Sequence, residues 1–195
     1  MDKLLVDLLR EIESFGKSND AASDEYAERM MNITPDTGDF LSVLVRATSA
    51  RRILEIGTSN GYSTLWLAEA ARANGGMVTT VEHSEFKIDL AKENFARSGL
   101  GKFISLLHED AGEVLRQTRE NAYDFIFLDT VRTKYPGWWP NLRRVLRPGG
   151  LIVADNALTH PEQLAPFIEL VKANPSYTTS IVPVGNGEFM AVKSG

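Results

Sequence analysis

The 195-residue sequence contains no cysteine. Disulfides, cysteine-based zinc sites and thiol nucleophiles are therefore excluded. Long uncharged apolar runs are also missing, and residues 1–16 place acidic residues between leucines at helical spacing, unlike a signal peptide. We expect a cytoplasmic protein that has no membrane partner.

An excess of basic residues is also lacking. The chain has 21 Lys and Arg against 26 Asp and Glu, which gives a formal net charge of −5. Surfaces that bind nucleic acids or anionic membranes normally carry a basic patch, and this sequence offers only short pairs such as Arg51-Arg52. We therefore expect no nucleic-acid partner. The 43% apolar composition is ordinary for a globular protein.

The apolar pattern changes from helical spacing to alternating strands and helices near residue 50. Amphipathic helices are predicted over 2–15, 20–32 and 37–48, with Asp36 as the cap of the third. Short apolar strands and helices then alternate five times, and two strands over 177–184 and 187–193 form a closing antiparallel pair. The predicted strands are 51–57, 77–82, 102–108, 123–129 and 151–155, and the predicted helices are 61–73, 84–98, 111–120, the segment after Pro136, and 161–173.

This alternation predicts an α/β fold. We expect a Rossmann-like, doubly wound, mostly parallel seven-stranded sheet with helices on both faces and an antiparallel last strand. We predict one domain over 1–195, in which helices within 1–48 pack on or cover the site and 49–195 form the ligand-binding α/β core. Open sheets of this kind bind ligands at the carboxyl ends of their strands, so the residues after each strand are the candidates for function.

Residues 57–61, Gly-Thr-Ser-Asn-Gly, match the G-x-S-x-G elbow of serine hydrolases, which would make Ser59 a nucleophile. That chemistry needs a histidine base, an orienting acid and an oxyanion hole. Only His160 follows a later acid, Asp155, and no strand precedes the loop to supply the second oxyanion donor. The hydrolase hypothesis is therefore disfavoured.

The same loop is typical of nucleotide-binding βαβ units. Glycines let the backbone approach a ligand closely, and the following helix offers free N–H groups to an anion. Glu82 ends the second strand about 20 residues beyond the loop, where an acid accepts hydrogen bonds from ribose hydroxyls. Asp110, after the third strand, is placed either to contact an adenine amino group or to cap the next helix.

Polar residues also follow the fourth and fifth strands. Asp129, Asp155 and Asn156 would meet in space if these strands are parallel neighbours. Two carboxylates and an amide oxygen suit Mg²⁺, and also Mn²⁺ or Ca²⁺. Such a cation would lower the pKa of a bound hydroxyl group. The alternative is that Asp155-Asn156 is only a strand-to-helix turn.

Several segments together resemble a known family. LEIGTSNGYSTLWLA (54–68) and VEHS (81–84) resemble motif I and its acidic partner in class I methyltransferases that depend on S-adenosylmethionine (SAM). GDFLSVLV (38–45), YDFIFLDTVRTKY (123–135), LRPGGLIVADNAL (146–158) and PVGNGEFMAVK (183–193) extend the resemblance to the cation-dependent O-methyltransferases of the caffeoyl-CoA and catechol type.

The resemblance implies SAM and a divalent cation as cofactors, a small phenolic or catechol-like hydroxylated acceptor, and a homodimer. It implies metal ligands at Asp129, Asp155 and Asn156, and we predict Asp129, Arg132 and Lys134 as the catalytic residues. The predicted cofactor-binding residues lie on the glycine loop and at the strand ends beside it: Glu55, Gly57, Ser59, Gly61, Tyr62, Ser63, Glu82, His83, Asp110, Ala111 and Asp129.

The sequence departs from that family after Asp129. The family commonly has D-A-D-K-x-x-Y, whereas Val131 here replaces the second acid and Arg132 stands at the lysine position. Arginine stays protonated and is a poor base. Arg132 would then steady a developing oxyanion or bind an acidic substrate, and proton removal would fall to Lys134 or to metal activation alone.

Trp138 and Trp139 have two interpretations, core packing or an aromatic wall for a planar ligand. The second would also suit the main alternative function, which is methylation of a nucleic-acid base, or another metal-independent N-methylation, on the same fold.

Overall fold

A single seven-stranded sheet forms the centre of the molecule. The computed structural model describes residues 1–195 apart from the side chain of Tyr26. The strands are β1 (Arg52–Ile56), β2 (Met77–Glu82), β3 (Ile104–His108), β4 (Tyr123–Leu128), β5 (Leu146–Ala154), β6 (Tyr177–Val182) and β7 (Glu188–Lys193). Their order across the sheet is β3-β2-β1-β4-β5-β7-β6.

The strand directions confirm the predicted fold class. β1 pairs in parallel with β2 and β4, and the neighbouring pairs β2–β3 and β4–β5 are parallel as well. β7 is antiparallel to both β5 and β6, which confirms the predicted antiparallel closing pair. The order reverses between β1 and β4, so the crevice expected in a doubly wound fold lies above these two strands.

In the described structure, seven helices surround the sheet: α1 (Lys3–Ala22), α2 (Pro35–Ala47), α3 (Tyr62–Ala73), α4 (Glu85–Ser98), α5 (Ala111–Gln117), α6 (Tyr135–Val145) and α7 (Pro161–Lys172). Short 3-10 turns occur at Tyr26–Glu28, Gly101–Phe103 and Arg132–Lys134. Among the described residues, no helix combines the length and the apolar character needed to cross a membrane.

Two hydrophobic cores lie on opposite faces of the sheet because side chains alternate along each strand. On β1, Ile53 joins the core with α1 to α4, whereas Leu54 joins the core with α5 to α7. Phe125 and Ile126 divide in the same way on β4. The nearly continuous apolar strands thus reflect a sheet that is covered on both faces.

The predicted helix over 20–32 is wrong. Helix α1 instead continues through Gly16 to Ala22, and the chain then runs mostly without regular structure to α2. The cause is a long-range contact: the Asp20 carboxylate accepts hydrogen bonds from Met30 N at 2.6 Å and from Met31 N at 2.8 Å. Met31 has φ of 48°, which a continuing helix would not allow.

The third predicted helix forms, but its cap is Thr34 and not Asp36. The Thr34 side chain accepts from Thr37 N at 3.2 Å, and Pro35 begins α2. Proline suits this first position because its fixed φ is helical and no N–H is needed there. Asp36 lies in the first turn of α2.

Candidate active site

A cavity of about 790 Å³ opens at the carboxyl ends of β1, β2 and β4. Ala27 and residues 30–33 of the N-terminal segment also line it. Most of the predicted site residues line this cavity, namely Gly57, Ser59, Tyr62, Ser63, Glu82, His83, Asp110, Ala111, Asp129, Arg132, Lys134 and Asn156. Among the described residues, the predicted residues that do not line it are Glu55, Gly61 and Asp155.

The glycine loop is tightly packed and has left-handed backbone conformations. Gly57 has φ of 108° and Gly61 has φ of 87°. A Cβ atom at Gly57 would overlap the backbone carbonyl oxygen of Asp129, and one at Gly61 would overlap the Phe95 ring. Glycine at these positions therefore allows the loop to lie against the end of β4.

Glu55 lies buried beneath the loop. Its carboxylate accepts hydrogen bonds from the Ser63 and Thr80 hydroxyls, each at 2.6 Å, and from the Thr64 hydroxyl. Burial raises the pKa of Glu55 to about 7. Glu55 thus fixes the start of α3 against β2, and its direct contact with a cofactor stays a prediction.

Glu82 is held by backbone amides. Its Oε2 accepts from Ser59 N at 2.9 Å, and its Oε1 accepts from His83 N at 2.8 Å and from Ser84 N at 2.9 Å. These bonds fix the carboxylate at the cavity edge, where lone pairs remain for a ligand hydroxyl.

Asp110 caps α5, accepting a hydrogen bond from Glu113 N at 3.1 Å, and it also lines the cavity. The predicted cap is confirmed, and the adenine contact stays a prediction.

The Ser59 hydroxyl does not meet a histidine. It donates to the Met30 backbone oxygen at 2.8 Å, which ties the N-terminal segment to the glycine loop. The ring of His160, the only candidate base, is 3.1 Å from the Thr159 hydroxyl through Nδ1. This arrangement gives the hydrolase hypothesis no catalytic pair.

The acids after β4 and β5 meet as predicted. Leu128 pairs with Ala154, and Asp155 N donates to the Leu128 oxygen at 3.1 Å, so both aspartates leave the sheet at the same level. Burial raises the pKa of both carboxyl groups, and the negative charge of Asp155 adds to the rise at Asp129.

A third acid, Glu188, lies beside these aspartates and was not predicted from the sequence. It is fully buried at the start of β7, and Thr37 Oγ1 on α2 donates to its Oε1 at 3.0 Å. Burial and the neighbouring charge of Asp155 raise its pKa to about 9. Its Oε2 has no donor among the described residues, and a protonated Glu188 can itself donate to Asp155. The sequence feature that could have indicated Glu188 is a single acid at the start of a mostly apolar strand.

Arg132 reaches from the 3-10 turn after β4 to the end of β5. Its Nη1 donates to Asn156 Oδ1 at 2.7 Å, and its Nε donates to Gln163 Oε1 on α7 at 3.0 Å. Its charge also acts on Asp129 and Asp155. Gln163 thus helps to fix the guanidinium, and it is the second site residue that was not predicted from the sequence.

The predicted metal ligands do not fit a divalent cation as they are arranged. The Asn156 oxygen, one of the three predicted ligands, already accepts a hydrogen bond from Arg132. Apart from this set, which includes an asparagine, no three histidine, aspartate or glutamate side chains in the part of the chain that the structure describes converge in a way that could hold a metal ion. The predicted ligands therefore lie close together, but one of them, Asn156, is hydrogen-bonded to Arg132.

Comparison with known proteins identifies the family. The sequence model of the O-methyltransferase family matches residues 13–193. The chain belongs to the O-methyltransferase family. A catechol O-methyltransferase from Niastella koreensis is 35% identical over 144 residues, which are 71% of this chain and 65%, just under two thirds, of that enzyme.

Solved structures agree with this assignment. An O-methyltransferase from Bacillus cereus in complex with SAH has a TM-score of 0.82 and 29% identity, over 96% of this chain and 91% of that one. TomG from Streptomyces achromogenes, an O-methyltransferase of tomaymycin synthesis in complex with SAM, has a TM-score of 0.78 and 25% identity, over 100% and 91%. The recognition of a methyltransferase from its motifs is confirmed.

In this O-methyltransferase the two tryptophans have different roles. Trp139 is buried, with its ring centroid 5.9 Å from that of Phe167. Trp138 stacks on Tyr135 at 6.0 Å and lines the cavity, and Lys134 Nζ lies 6.0 Å from its ring centroid. The core interpretation holds for Trp139, and the aromatic-wall interpretation is available only to Trp138.

Proposed function

We propose that this O-methyltransferase moves the methyl group of SAM to a hydroxyl oxygen of a small phenolic or catechol-like molecule. The observation that carries the proposal is one cavity whose wall includes two carboxylates, Glu82, which three backbone amides hold in place, and Asp129, which is partly buried. The catechol O-methyltransferase and the SAH- and SAM-bound relatives support the choice of donor and acceptor.

The glycine-loop half of the cavity suits SAM. Glu82 offers lone pairs to ribose hydroxyls in a position that three backbone amides hold. Gly61 precedes helix α3 and provides no side-chain cap, and the Tyr62 N–H donates to Asn60 Oδ1 at 3.3 Å. The following N–H groups of the first turn are therefore the ones available to the carboxylate of the methionine part. Ser63 lines the cavity in the same turn.

Asp129 suits the role of proton acceptor. Its pKa is raised by burial and by the neighbouring Asp155, which makes the carboxylate a better base than an exposed aspartate. In the proposed step, the acceptor oxygen attacks the sulfonium methyl in line, the C–S bond breaks with its electron pair remaining on sulfur, and the hydroxyl proton passes to Asp129. Holding both reactants at attack distance carries much of the rate.

Calorimetry with SAM tests the cofactor half. We expect the wild-type protein to bind SAM, and Glu82→Gln to weaken binding by about tenfold or more, since one hydrogen bond to a charged acceptor contributes roughly 1.5–3 kcal/mol. Glu85→Gln is the matched control, because Glu85 is exposed three residues further along and does not line the cavity in the described structure. Absence of SAM binding to the wild-type protein would end the proposal.

A methyl-transfer screen tests the acceptor half. Catechols, hydroxycinnamoyl thioesters and phenolic acids are incubated with SAM, and products are identified by mass spectrometry. We expect O-methylated products in this panel. Methylation of a nucleobase with no phenolic product would instead support the N-methyltransferase alternative, which the family assignment disfavours.

The resemblance implies a divalent cation, Mg²⁺ first, with Asp129, Asp155 and Asn156 as ligands, but the hydrogen bond of Arg132 to the Asn156 oxygen does not favour it. The homodimer and the cytoplasmic location stay predictions. Sedimentation velocity decides the oligomeric state.

A further inference from the structure

Three acidic side chains lie near one another at the ends of β4 and β5 and the start of β7. Asp129 and Asp155 follow the paired strands β4 and β5, and Glu188 begins β7, which pairs with β5 at the same end of the sheet. The negative charge of Asp155 raises the pKa of both Asp129 and Glu188. Asp155 and Glu188 are buried, and Asp129 is partly buried at the cavity wall. A buried carboxylate without a positive partner is costly. Among the described residues, the cations that act most strongly on Asp129 are Arg132 first and Lys87 second.

Arg132 is held in place for this role. Its Nη1 and Nε are bound to Asn156 and Gln163, which come from the turn after β5 and from α7. Its Nη2 makes no hydrogen bond to the described residues, and the side chain lines the cavity. A guanidinium has five N–H donors in a planar fork, so donors remain for an oxygen atom in the cavity.

We infer that the Arg132 guanidinium takes the place of the divalent cation, so that a residue of the chain itself stabilises the acceptor oxygen during methyl transfer. The inference rests on the proposed function and replaces one part of it. The Asn156 oxygen that a metal ion would need is bound to Arg132, and a metal ion among these ligands would be repelled by the guanidinium beside it.

The test combines metal binding with turnover. Mn²⁺ is titrated into the wild-type, Arg132→Ala and Arg132→Lys proteins, and the free ion is followed by electron paramagnetic resonance. Turnover of a phenolic acceptor is measured after exhaustive chelation and again after Mg²⁺ is added. Arg10→Ala is the matched control, because it removes the same charge from an exposed position on α1.

We expect the wild-type protein and the Arg10→Ala control to bind no Mn²⁺ at this site and to keep full turnover after chelation. Arg132→Ala should lose on the order of 100-fold in kcat, as expected for loss of one donor to a developing oxyanion. Removal of the guanidinium should also free the Asn156 oxygen, so that Arg132→Ala gains an Mn²⁺ site and recovers part of its turnover with Mg²⁺. Arg132→Lys should keep the site closed to Mn²⁺ and lose less turnover.

The inference is overturned if the wild-type protein binds one Mn²⁺ with Asp129 required, or if chelation abolishes its turnover and Mg²⁺ restores it. Unchanged kcat in Arg132→Ala also overturns it. If the screen yields no acceptor, the proposed function fails in its acceptor half, and the Mn²⁺ titration of the wild-type and Arg132→Ala proteins still decides the inference. Should Arg132→Ala not fold, the wild-type titration and Arg132→Lys decide it.

Discussion

The two halves of the cavity stabilise their acids in different ways. At the ends of β1 and β2, Glu55 accepts three hydroxyl donors and Glu82 accepts three backbone amides. At the ends of β4 and β5, Asp129 and Asp155 share their surroundings with a third acid. Asp155 accepts from Asn156 N at 2.6 Å, and the positive charge of Arg132 acts on both aspartates. The first half is a fixed binding surface, whereas the second holds unbalanced charge that is available for chemistry.

Gly57→Ala should have the largest effect, because Gly57 is where the halves touch. Its φ of 108° and the overlap of a Cβ atom with the Asp129 carbonyl should lower the free energy of unfolding by about 3 kcal/mol or more. SAM affinity and turnover should both fall sharply. Chemical denaturation and calorimetry measure these effects.

Gly75→Ala is the control for Gly57→Ala. Gly75 also has positive φ, at 69°, but a Cβ atom there meets no atom within 4 Å. A cost of about 1–2 kcal/mol with unchanged SAM affinity is expected. If Gly57→Ala also kept wild-type affinity, the two halves would not be coupled through this contact.

Asp129→Asn should separate chemistry from stability. The amide keeps the shape but removes a proton acceptor and a repelled charge, so kcat should fall on the order of 100-fold. The melting temperature should stay the same or rise, because the repulsion with Asp155 is gone. Unchanged kcat together with a lower melting temperature would show that Asp129 is only structural.

Glu188→Gln should change how the stability of the folded protein depends on pH, because it removes an acid that lies beside Asp155. Because the pKa of Glu188 rises from 4.5 to about 9 on folding, the unfolded chain releases a proton that the folded chain retains between these values. Stability of the wild-type protein should therefore fall as pH rises through this window. Because glutamine does not titrate, Glu188→Gln should not show this fall in stability.

Melting temperatures of the two proteins from pH 5 to 9 give the measurement for Glu188. We expect Glu188→Gln to melt a few degrees higher than the wild-type protein at pH 8, with the gain shrinking as the pH approaches 5. A difference that does not change with pH would mean that Glu188 titrates normally.

Ser59→Ala should have the smallest effect. It removes one hydrogen bond, to the Met30 carbonyl, which contributes about 1 kcal/mol. Turnover should stay close to that of the wild-type protein, with KM for SAM raised about fivefold at most. Complete loss of activity would revive the nucleophile hypothesis for this residue.

Much of the fold could be predicted because the strands and helices of residues 51–193 follow local periodicity. The N-terminal region could not, since the contact of Asp20 with Met30 and Met31 ends α1 through a loop that no local pattern reveals. The carboxyl ends of the strands also indicated the site, because parallel neighbours bring Asp129 and Asp155 to one level.

The missed residues depend on tertiary contacts. Glu188 reaches Asp155 only after β7 has paired with β5, and Gln163 reaches Arg132 only when α7 has packed. The direction of the Arg132 side chain is also set by these partners. The sequence alone showed that Arg132 replaces the usual lysine, but only the structure shows that Arg132 binds the Asn156 oxygen.

Single turnover by the chelated wild-type protein shows whether methyl transfer proceeds with Arg132 alone and without a metal ion. Enzyme freed of metal ions is mixed with methyl-labelled SAM and a catechol acceptor, and both products are quantified over time. We expect one labelled O-methyl product and one SAH for each active site, without added cation. If SAM binds but stays unreacted until Mg²⁺ is added, the reaction needs a metal ion and Arg132 does not replace it.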